Sequence, residues 1–335
     1  MNLASKRWRT TVVALMTALS VLFLANSQAS AAQPGEGVDW GQEIENNSIV
    51  QTNGGMVETR DPNTNVLIQV WRGYDNNVYL ALNHGTVVRM PGATTLAPPA
   101  VEWSHSNSTT NSAFRVFHTG TNGYIYYTYV VTGGNGNIAN IQQPWNQVPQ
   151  GAATPNNFPV SVVGLPNNSM YLAFRGSSSN EIWGQFFDGT SNLWDNPVRV
   201  TDARSDSPPA LAFSTNTNII ALAWRGTDNQ VNLIRQTYGQ PWWWGHDIYA
   251  GVATDGPPAV AMTNNGRGQV AVRRQGSHEI ALTSIWANGG WQNGWDSENT
   301  HAVFGAISLV AYATTVYLLA TQFNGVVNWK PSRQF

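Results

Sequence analysis

The chain of 335 residues contains no cysteine and, beyond an apolar run near its start, no helical pattern of useful length. The missing cysteine excludes disulfides, thiol catalysis and cysteine-based metal sites, so the stability of the protein has to come from packing. Instead of helices, alternating and buried-strand patterns recur between clusters of Gly, Asn, Pro and Asp. The sequence therefore predicts a protein that is almost entirely β.

The first 31 residues have the pattern of a secretory signal peptide. Three basic residues, ending at Arg9, precede an apolar run, and Ala29-Ser30-Ala31 follows as a small-residue cleavage site. The apolar run is short for a membrane span, and no later segment replaces it. We expect a signal peptide at residues 1–31, a single domain at residues 32–335, and a secreted, extracellular protein without membrane insertion.

Charge is also scarce, since charged residues make up 11% of the chain. The signal segment holds three of the 17 basic residues and none of the 19 acidic ones. The mature chain therefore has a formal net charge of about −5. Nucleic acid and anionic lipid both require a basic surface. The composition therefore argues against nucleic-acid partners.

A repeated phrase is the strongest pattern in the chain. Four copies end a predicted strand on an arginine before a short turn: VWRGYDNNVY from Val70, AFRGSSSNEIW from Ala173, AWRGTDNQVNL from Ala223 and VRRQGSHEIAL from Val272. The arginines Arg72, Arg175, Arg225 and Arg274 are 103, 50 and 49 residues apart, and weaker copies at His118 and Thr321 complete six. All-strand units at a period of roughly 40–50 residues predict a β-propeller.

The ends of the chain predict how the propeller closes. One full unit, residues 206–255, contains four predicted strands, whereas the last unit after Ala306 supplies only three. The N-terminal segment Trp40-Gly41-Gln42-Glu43-Ile44 matches the fourth strand of the full unit, Trp244-Gly245-His246-Asp247-Ile248. We predict six four-stranded blades, with the last blade closed by the N-terminal strand.

The repeat also predicts one functional face. Strand direction alternates within a blade, so the turn after the second strand and the connection to the next blade lie on the same side of the ring. We call this side the arginine rim; it should bring the repeated arginines near carboxylates. A guanidinium, a carboxylate and an aromatic ring together suit a monosaccharide, whose hydroxyls donate and accept while its C–H face stacks. The candidate ligand-binding residues are Arg72, Asp75, Arg175, Arg225, Asp228, Arg274, Asp206, Asp255 and Trp242.

A structural role for the same residues stays open, because an Asp can cap its own turn and an arginine can pair with it. For the tryptophans, too, we weigh a structural role against ligand binding. Those at the start of fourth strands should lock neighbouring blades together, at the end of the blade opposite the rim, and Trp71 and Trp224 should fill the core between blades. The cluster Trp242-Trp243-Trp244 departs from the repeat, and we expect one member to be exposed; Trp242 is the candidate for sugar stacking. The predicted locking residues are Trp40, Trp145, Trp194, Trp244 and Trp295.

Catalytic patterns are missing from the sequence. A glycoside hydrolase on a propeller needs a carboxylate pair, or a Tyr with an acidic partner, in the central channel. Glu58 and Glu102 lie outside the repeated turns but show no recognisable pairing. The sequence has no sialidase Ser-x-Asp-x-Gly-x-x-Thr-Trp box and no Gly-x-Ser-x-Gly elbow, and its six histidines lack metal-ligand spacing. We predict no catalytic residue, no metal and no cofactor.

The phrases PPALAF, ALAWRGTDNQVNLI and WWWGHDI resemble the blade repeat of bacterial β-propeller lectins of the Photorhabdus lectin (PLL-like) type. The resemblance covers the mature chain and is strongest from Phe158 to Leu282. It implies a secreted lectin that binds fucose or related monosaccharides between blades, although the count of six is nearer to the six-bladed fungal fucose lectins. The leading hypothesis is a multivalent lectin for glycans or glycoconjugates without catalysis, with oligomerisation left open. The alternatives are a sialidase-like glycoside hydrolase and a protein-binding propeller.

Overall fold

A computed structural model describes residues 44–45, 52, 54–104, 110–133, 136–292, 294–298, 307–321 and 327–334. The predicted signal peptide and Trp40 lie outside these residues. The described part of the chain contains only strands and their connections, which confirms the all-β prediction. Within it, no helix is long and apolar enough to cross a membrane.

The strands form six antiparallel sheets, which we call blades 1 to 6 in chain order. A short N-terminal strand, β1 (Ile44–Glu45), precedes them. Blade 1 contains β2 (Met56–Arg60), β3 (Leu67–Arg72), β4 (Asn77–Leu82) and β5 (Val87–Thr94). Blade 2 contains β6 (Ala100–Trp103), β7 (Ala113–Thr119), β8 (Ile125–Thr132), β9 (Ile138–Ile141) and β10 (Asn146–Gln147). Blade 3 contains β11 (Ser161–Gly164), β12 (Met170–Arg175), β13 (Glu181–Asp188), β14 (Leu193–Trp194) and β15 (Val198–Arg204).

The second half of the ring is built in the same way. Blade 4 contains β16 (Ala210–Ser214), β17 (Ile219–Arg225), β18 (Val231–Thr237) and β19 (Trp243–Tyr249). Blade 5 contains β20 (Ala259–Met262), β21 (Arg267–Arg273), β22 (Ile280–Trp286) and β23 (Asp296–Glu298). Blade 6 contains β24 (Ile307–Tyr312), β25 (Thr315–Thr321) and β26 (Val327–Gln334).

The six blades close into a ring around their first strands. Each first strand contacts the first strand of the next blade, and β24 of the last blade contacts β2 of the first. Strand β1 completes blade 6 by pairing with β26, with Ile44 opposite Trp329 and Glu45 opposite Asn328. This confirms both the six-bladed propeller and its closure by an N-terminal strand.

The hydrophobic core lies between blades, because side chains alternate across each strand and face the two neighbouring blades. One such layer packs Val231 and Leu233 of blade 4 against Val260 and Val270 of blade 5. Trp71 and Trp224 are each 2% exposed and belong to equivalent layers, as predicted.

Tryptophans also join neighbouring blades at their outer strands. The indole Nε1 of Trp145 in blade 2 donates to the carbonyl of Pro91 in blade 1 at 2.8 Å, and that of Trp295 in blade 5 donates to Ala250 at 3.3 Å. Trp194 of blade 3 packs its ring edge-on against Phe117 of blade 2. The predicted locking role is therefore confirmed for these three residues. Their predicted position at the end opposite the rim is wrong for two of them. The ring of Trp295 lies against the rim-end residue Tyr249, and the ring of Trp145 lies edge-on against His118 near the rim end of β7.

In blade 4 two adjacent tryptophans join neighbouring blades. Trp244 packs with the layer between blades 4 and 5, which agrees with its predicted locking role. Trp243, which was not predicted, packs edge-on against Tyr171 of blade 3, with ring centroids 5.8 Å apart. Adjacent strand residues face opposite sides, so a shift of one residue exchanges the blade that is contacted.

Candidate ligand-binding sites

The arginine rim exists where the repeat predicts it. Arg72, Arg175 and Arg225 are the last residues of β3, β12 and β17, and each pairs with the first or second residue of the following strand. The connections to the next blade pass the same end of the sheet, because Arg225 reaches the carbonyl of Thr254 at 3.5 Å. Strand pairing therefore holds each arginine at the boundary between two blades.

The arginine assigned to blade 5 needs a correction. Arg273, not Arg274, ends β21 and pairs with Ile280, just as Arg225 pairs with Val231. Arg274 lies one residue further, in the turn, and its Nη2 donates to Ser297 Oγ at 2.8 Å. The turn in blade 5 is one residue longer than in blade 4, so counting back from the turn selects the wrong one of two adjacent arginines.

Arg225 and Asp206 form the most complete candidate site. The Nε and Nη2 atoms of Arg225 donate to Asp206 Oδ1 at 3.0 and 2.7 Å. The arginine side chain is 13% exposed, whereas the aspartate side chain is 46% exposed. The guanidinium is thus fixed between the connections that enter and leave blade 4, and it presents a half-open carboxylate to solvent.

Blade 5 repeats this geometry. Arg273 Nε donates to Asp255 Oδ1 at 2.6 Å, and the two side chains are 21% and 27% exposed. His278 Nδ1 lies 3.9 Å from the second oxygen of the same carboxylate. The structure therefore brings Asp206 and Asp255 together with rim arginines, in two equivalent pairs.

The other two rim arginines have no aspartate at the equivalent position. Arg72 donates through Nη1 to the carbonyl of Leu96, and burial lowers the pKa of its guanidinium. Arg175 donates through Nε to the carbonyl of Ser205 at 3.2 Å and lies over the ring of Phe158 at 5.2 Å. The four rim sites are therefore of two kinds, one with a carboxylate and one with backbone carbonyls.

A hydroxyl residue in two of the connections supports the rim, and it is absent from the residues predicted above. Ser205 Oγ donates to the carbonyl of Arg225 at 2.6 Å, and Thr52 Oγ1 donates to that of Arg72 at 2.8 Å. The signal is readable in the sequence, as Ser205-Asp206-Ser207-Pro208-Pro209 and Thr254-Asp255-Gly256-Pro257-Pro258. In blade 4 the hydroxyl immediately before the aspartate ties the connection to the adjoining arginine strand, whereas Thr254 Oγ1 donates to Gly256 within its own connection.

Asp75 and Asp228 lie on the same face but cap their own turns. Asp75 Oδ2 accepts a hydrogen bond from Tyr79 Oη at 2.7 Å, and this bond and the contact with Asn77 lower the pKa of its carboxyl group. Asp228 Oδ1 accepts from the backbone N–H of Gln230 at 3.1 Å. These contacts are those of residues that cap their own turns, the structural role that the sequence pattern left open for Asp75 and Asp228.

Trp242 is 59% exposed, as predicted for one member of its cluster, but it is not part of the rim. Strand β19 pairs Trp243 with Gln236 at one end and Tyr249 with Val231 at the other. Only the second end carries Arg225, so the length of a seven-residue strand, about 20 Å, separates Trp242 from it. Any ligand on Trp242 belongs to a different site.

Near the ring axis, Glu58 has a partner that the sequence did not reveal. Tyr312 Oη donates to Glu58 Oε1 at 2.7 Å, and Arg60 lies over the tyrosine ring at 4.8 Å. Burial, with the adjacent carboxylate, raises the pKa of Tyr312 well above its usual value, so the phenol keeps its proton. Glu58 is 7% exposed, and the contact joins blades 6 and 1. In the described residues, no three acidic or histidine side chains form a cluster that could hold a metal ion.

Comparison with known proteins identifies the fold. No family model and no curated protein matches the sequence. The solved structure of AofleA from Arthrobotrys oligospora matches with a TM-score of 0.64 at 13% identity, over 87% of this chain and 86% of that chain. The Aleuria aurantia lectin in complex with α-methyl-L-fucoside matches with a TM-score of 0.59 at 10% identity, over 84% and 93%. The SapL1 lectin in complex with α-methyl fucoside matches with a TM-score of 0.57 at 13% identity, over 85% and 97%.

Two details of these relatives bear on the rim. The A. aurantia lectin is described as a six-bladed β-propeller with its own mode of fucose recognition. AofleA has also been solved as a variant in which three arginines, spaced 53 residues apart, are changed to alanine. At the level of fold, the resemblance to fucose-binding propeller lectins is confirmed.

Proposed function

We propose that this protein is a secreted, multivalent lectin that binds fucose-like monosaccharides of glycans at its arginine rim, without catalysing a reaction. The pairing of a rim arginine with a partly exposed aspartate carries the proposal, since it occurs at both Arg225–Asp206 and Arg273–Asp255. A guanidinium donates to sugar hydroxyls and a carboxylate accepts from them. Both bonds from Arg225 end on Oδ1, so Oδ2 can accept from a ligand.

The relatives support the same ligand class. Two of the lectins that share this fold were solved with α-methyl fucoside, and in a third, arginines at a blade-length spacing were the residues changed. In this chain, 48 residues separate Arg225 from Arg273, also one blade length. Several weak sites on one rim would gain strength by engaging a glycan-covered surface together.

Isothermal titration with methyl α-L-fucoside tests the rim. We expect Arg273→Ala to remove one binding site from the stoichiometry. Arg267→Ala is the matched control, because Arg267 is an exposed arginine at the other end of the same strand. Undetectable fucoside binding by the wild-type protein at millimolar concentration, or equal stoichiometry in both variants, would contradict the proposal.

The secretion part of the proposal rests on residues 1–31. Expression of the full chain in an exporting host, followed by N-terminal sequencing of the protein in the medium, tests it. We expect the mature protein to begin at Ala32, since cleavage should follow Ala29-Ser30-Ala31. Retention of the uncleaved chain inside the cell would contradict export.

A further inference from the structure

A second concave site lies between blades 3 and 4, away from the arginine rim. We call it the blade 3–4 groove; its volume is about 910 Å³, within the range of small-molecule sites. One side of it comes from blade 3 and contains Tyr171 and Phe186, and the other comes from blade 4 and contains Trp242 and Trp243. Trp242 lies at the end of its blade opposite Arg225, so this groove is distinct from the rim sites.

Blade 3 has an irregular outer edge beside the groove. A bulge shifts the pairing of β13 with β15, and the outer edge of blade 3 is split between β14 and β15. Gly184 in β13 leaves room for the hydroxyl of Tyr171, which lies 1.8 Å from the place that a Cβ atom would occupy. The tyrosine therefore lies across β13 as part of the groove floor.

The two walls of the groove differ in chemistry. The aromatic wall ends in Trp242, which is 59% exposed although it is among the largest apolar side chains. The wall formed by residues 195–202 is mostly polar, with Asp195, Arg199 and Asp202 all exposed, and it also contains Val198, which is 66% exposed. Arg199 is held by Glu181 at 2.8 Å and is 55% exposed. An indole face opposite groups that both donate and accept matches a sugar ring, which has an apolar C–H face and a hydroxyl edge.

We propose that the blade 3–4 groove is a carbohydrate subsite for a short, extended oligosaccharide of β-1,4-linked hexoses, with Trp242 as its stacking platform. A groove of about 910 Å³ has room for more than one sugar ring, so it suits a chain of roughly two or three sugar units. In β-1,4-linked glucose, the hexose tested below, the ring substituents are equatorial, so successive rings present flat C–H faces that an indole can cover. The inference does not depend on the rim, since none of the rim arginines lines the groove.

Titration with cellotriose, followed by calorimetry or saturation-transfer NMR, tests the proposal, with maltotriose as the curved, α-linked comparison. We expect the wild-type protein to bind cellotriose more tightly than maltotriose. Trp242→Ala should weaken cellotriose binding about tenfold or more, equivalent to ~1.4 kcal/mol. Trp242→Phe should retain part of the binding. Ile248→Ala is the matched control, because Ile248 is on the strand that directly follows Trp242 and is 53% exposed, and this variant should bind as the wild type does.

The two ligands, methyl α-L-fucoside and cellotriose, test the rim and the groove independently. Methyl α-L-fucoside binding should be unchanged in Trp242→Ala, and cellotriose binding should be unchanged in Arg273→Ala. The proposal is overturned if the wild-type protein binds no cellotriose, if maltotriose binds equally well, or if Trp242→Ala and Ile248→Ala behave alike. It is also overturned if Trp242→Ala changes only self-association, which would make the exposed indole a contact between copies. If the wild-type protein binds cellotriose but not methyl α-L-fucoside, the rim proposal is refuted and the groove proposal is supported.

Discussion

Glu102 near the ring axis should make the stability of the propeller depend on pH. The residue lies on β6, the first strand of blade 2. Its Oε1 accepts from the backbone N–H of Trp103 at 2.9 Å and from Thr59 Oγ1 of blade 1 at 3.2 Å. Burial outweighs these hydrogen bonds and raises the pKa of the Glu102 carboxyl from 4.5 to about 7.

The shift in pKa has a definite sign and size. Between pH 4.5 and about 7 the folded protein binds more protons at Glu102 than the unfolded chain does. Stability from this group is therefore fully present below pH 4.5 and is lost as the pH rises through about 7. A shift of this size corresponds to about 3 kcal/mol, of which ~2.5 kcal/mol falls between pH 5 and pH 8.

Glu102→Gln isolates this contribution, because the amide keeps an acceptor oxygen for Thr59 and Trp103 and does not titrate. Urea unfolding of both proteins at pH 5 and pH 8 measures the change in free energy of unfolding. All other titrating groups are the same in both proteins. The change in free energy of unfolding between pH 5 and pH 8 therefore differs between them only by the contribution of Glu102. We expect the wild-type protein to lose ~2.5 kcal/mol more than the variant over this interval. Parallel pH profiles would refute the burial argument.

Two further predictions concern buried ionisable side chains. Burial lowers the pKa of His118 to about 4, so stability should be lost as the pH falls from about 6.5 to 4. In thermal unfolding scans, His118→Gln should reduce this loss of stability in acid. An unchanged dependence of stability on pH in the variant would contradict the prediction. Arg235 is 0% exposed and donates to Asp247 at 2.6 Å, so Asp247→Ala should cost about 3 kcal/mol by leaving the cation unpaired. Urea unfolding should show most of that loss recovered in the double variant Asp247→Ala with Arg235→Met, whereas a single-variant loss well under 1 kcal/mol would contradict the reasoning.

The sequence predicted the architecture well because the repeat reflects local physics. A strand that ends before a Gly-containing turn folds the same way in each copy, so the copies at Arg72, Arg175 and Arg225 appear at matching positions in their blades. The last unit lacks a fourth strand in the sequence, and this predicted that the N-terminal segment supplies it, as β1 does. Both inferences use only the order of strands along the chain.

The candidate site was predicted less completely, because it depends on register and on contacts between blades. Arg273 and Arg274 are adjacent in sequence, and only the pairing of β21 with β22 shows that Arg273 occupies the rim position. Trp242 is equally conspicuous in the sequence, but the register of β19 places it at the far end of its blade. A change of one residue in a strand reverses the direction of a side chain, and sequence pattern alone does not define register that finely.

The amino-acid sequence by itself determined the all-β class, the six-unit repeat, the closing strand and the face on which the arginines lie. Periodicity encodes all four, since each follows from short-range strand and turn preferences repeated along the chain. Only the tertiary structure decided that Asp206 and Asp255 pair with rim arginines while Asp75 and Asp228 cap their turns. It also opened the groove beneath Trp242, because the space between two blades depends on residues that are distant in sequence and meet only after the ring has closed.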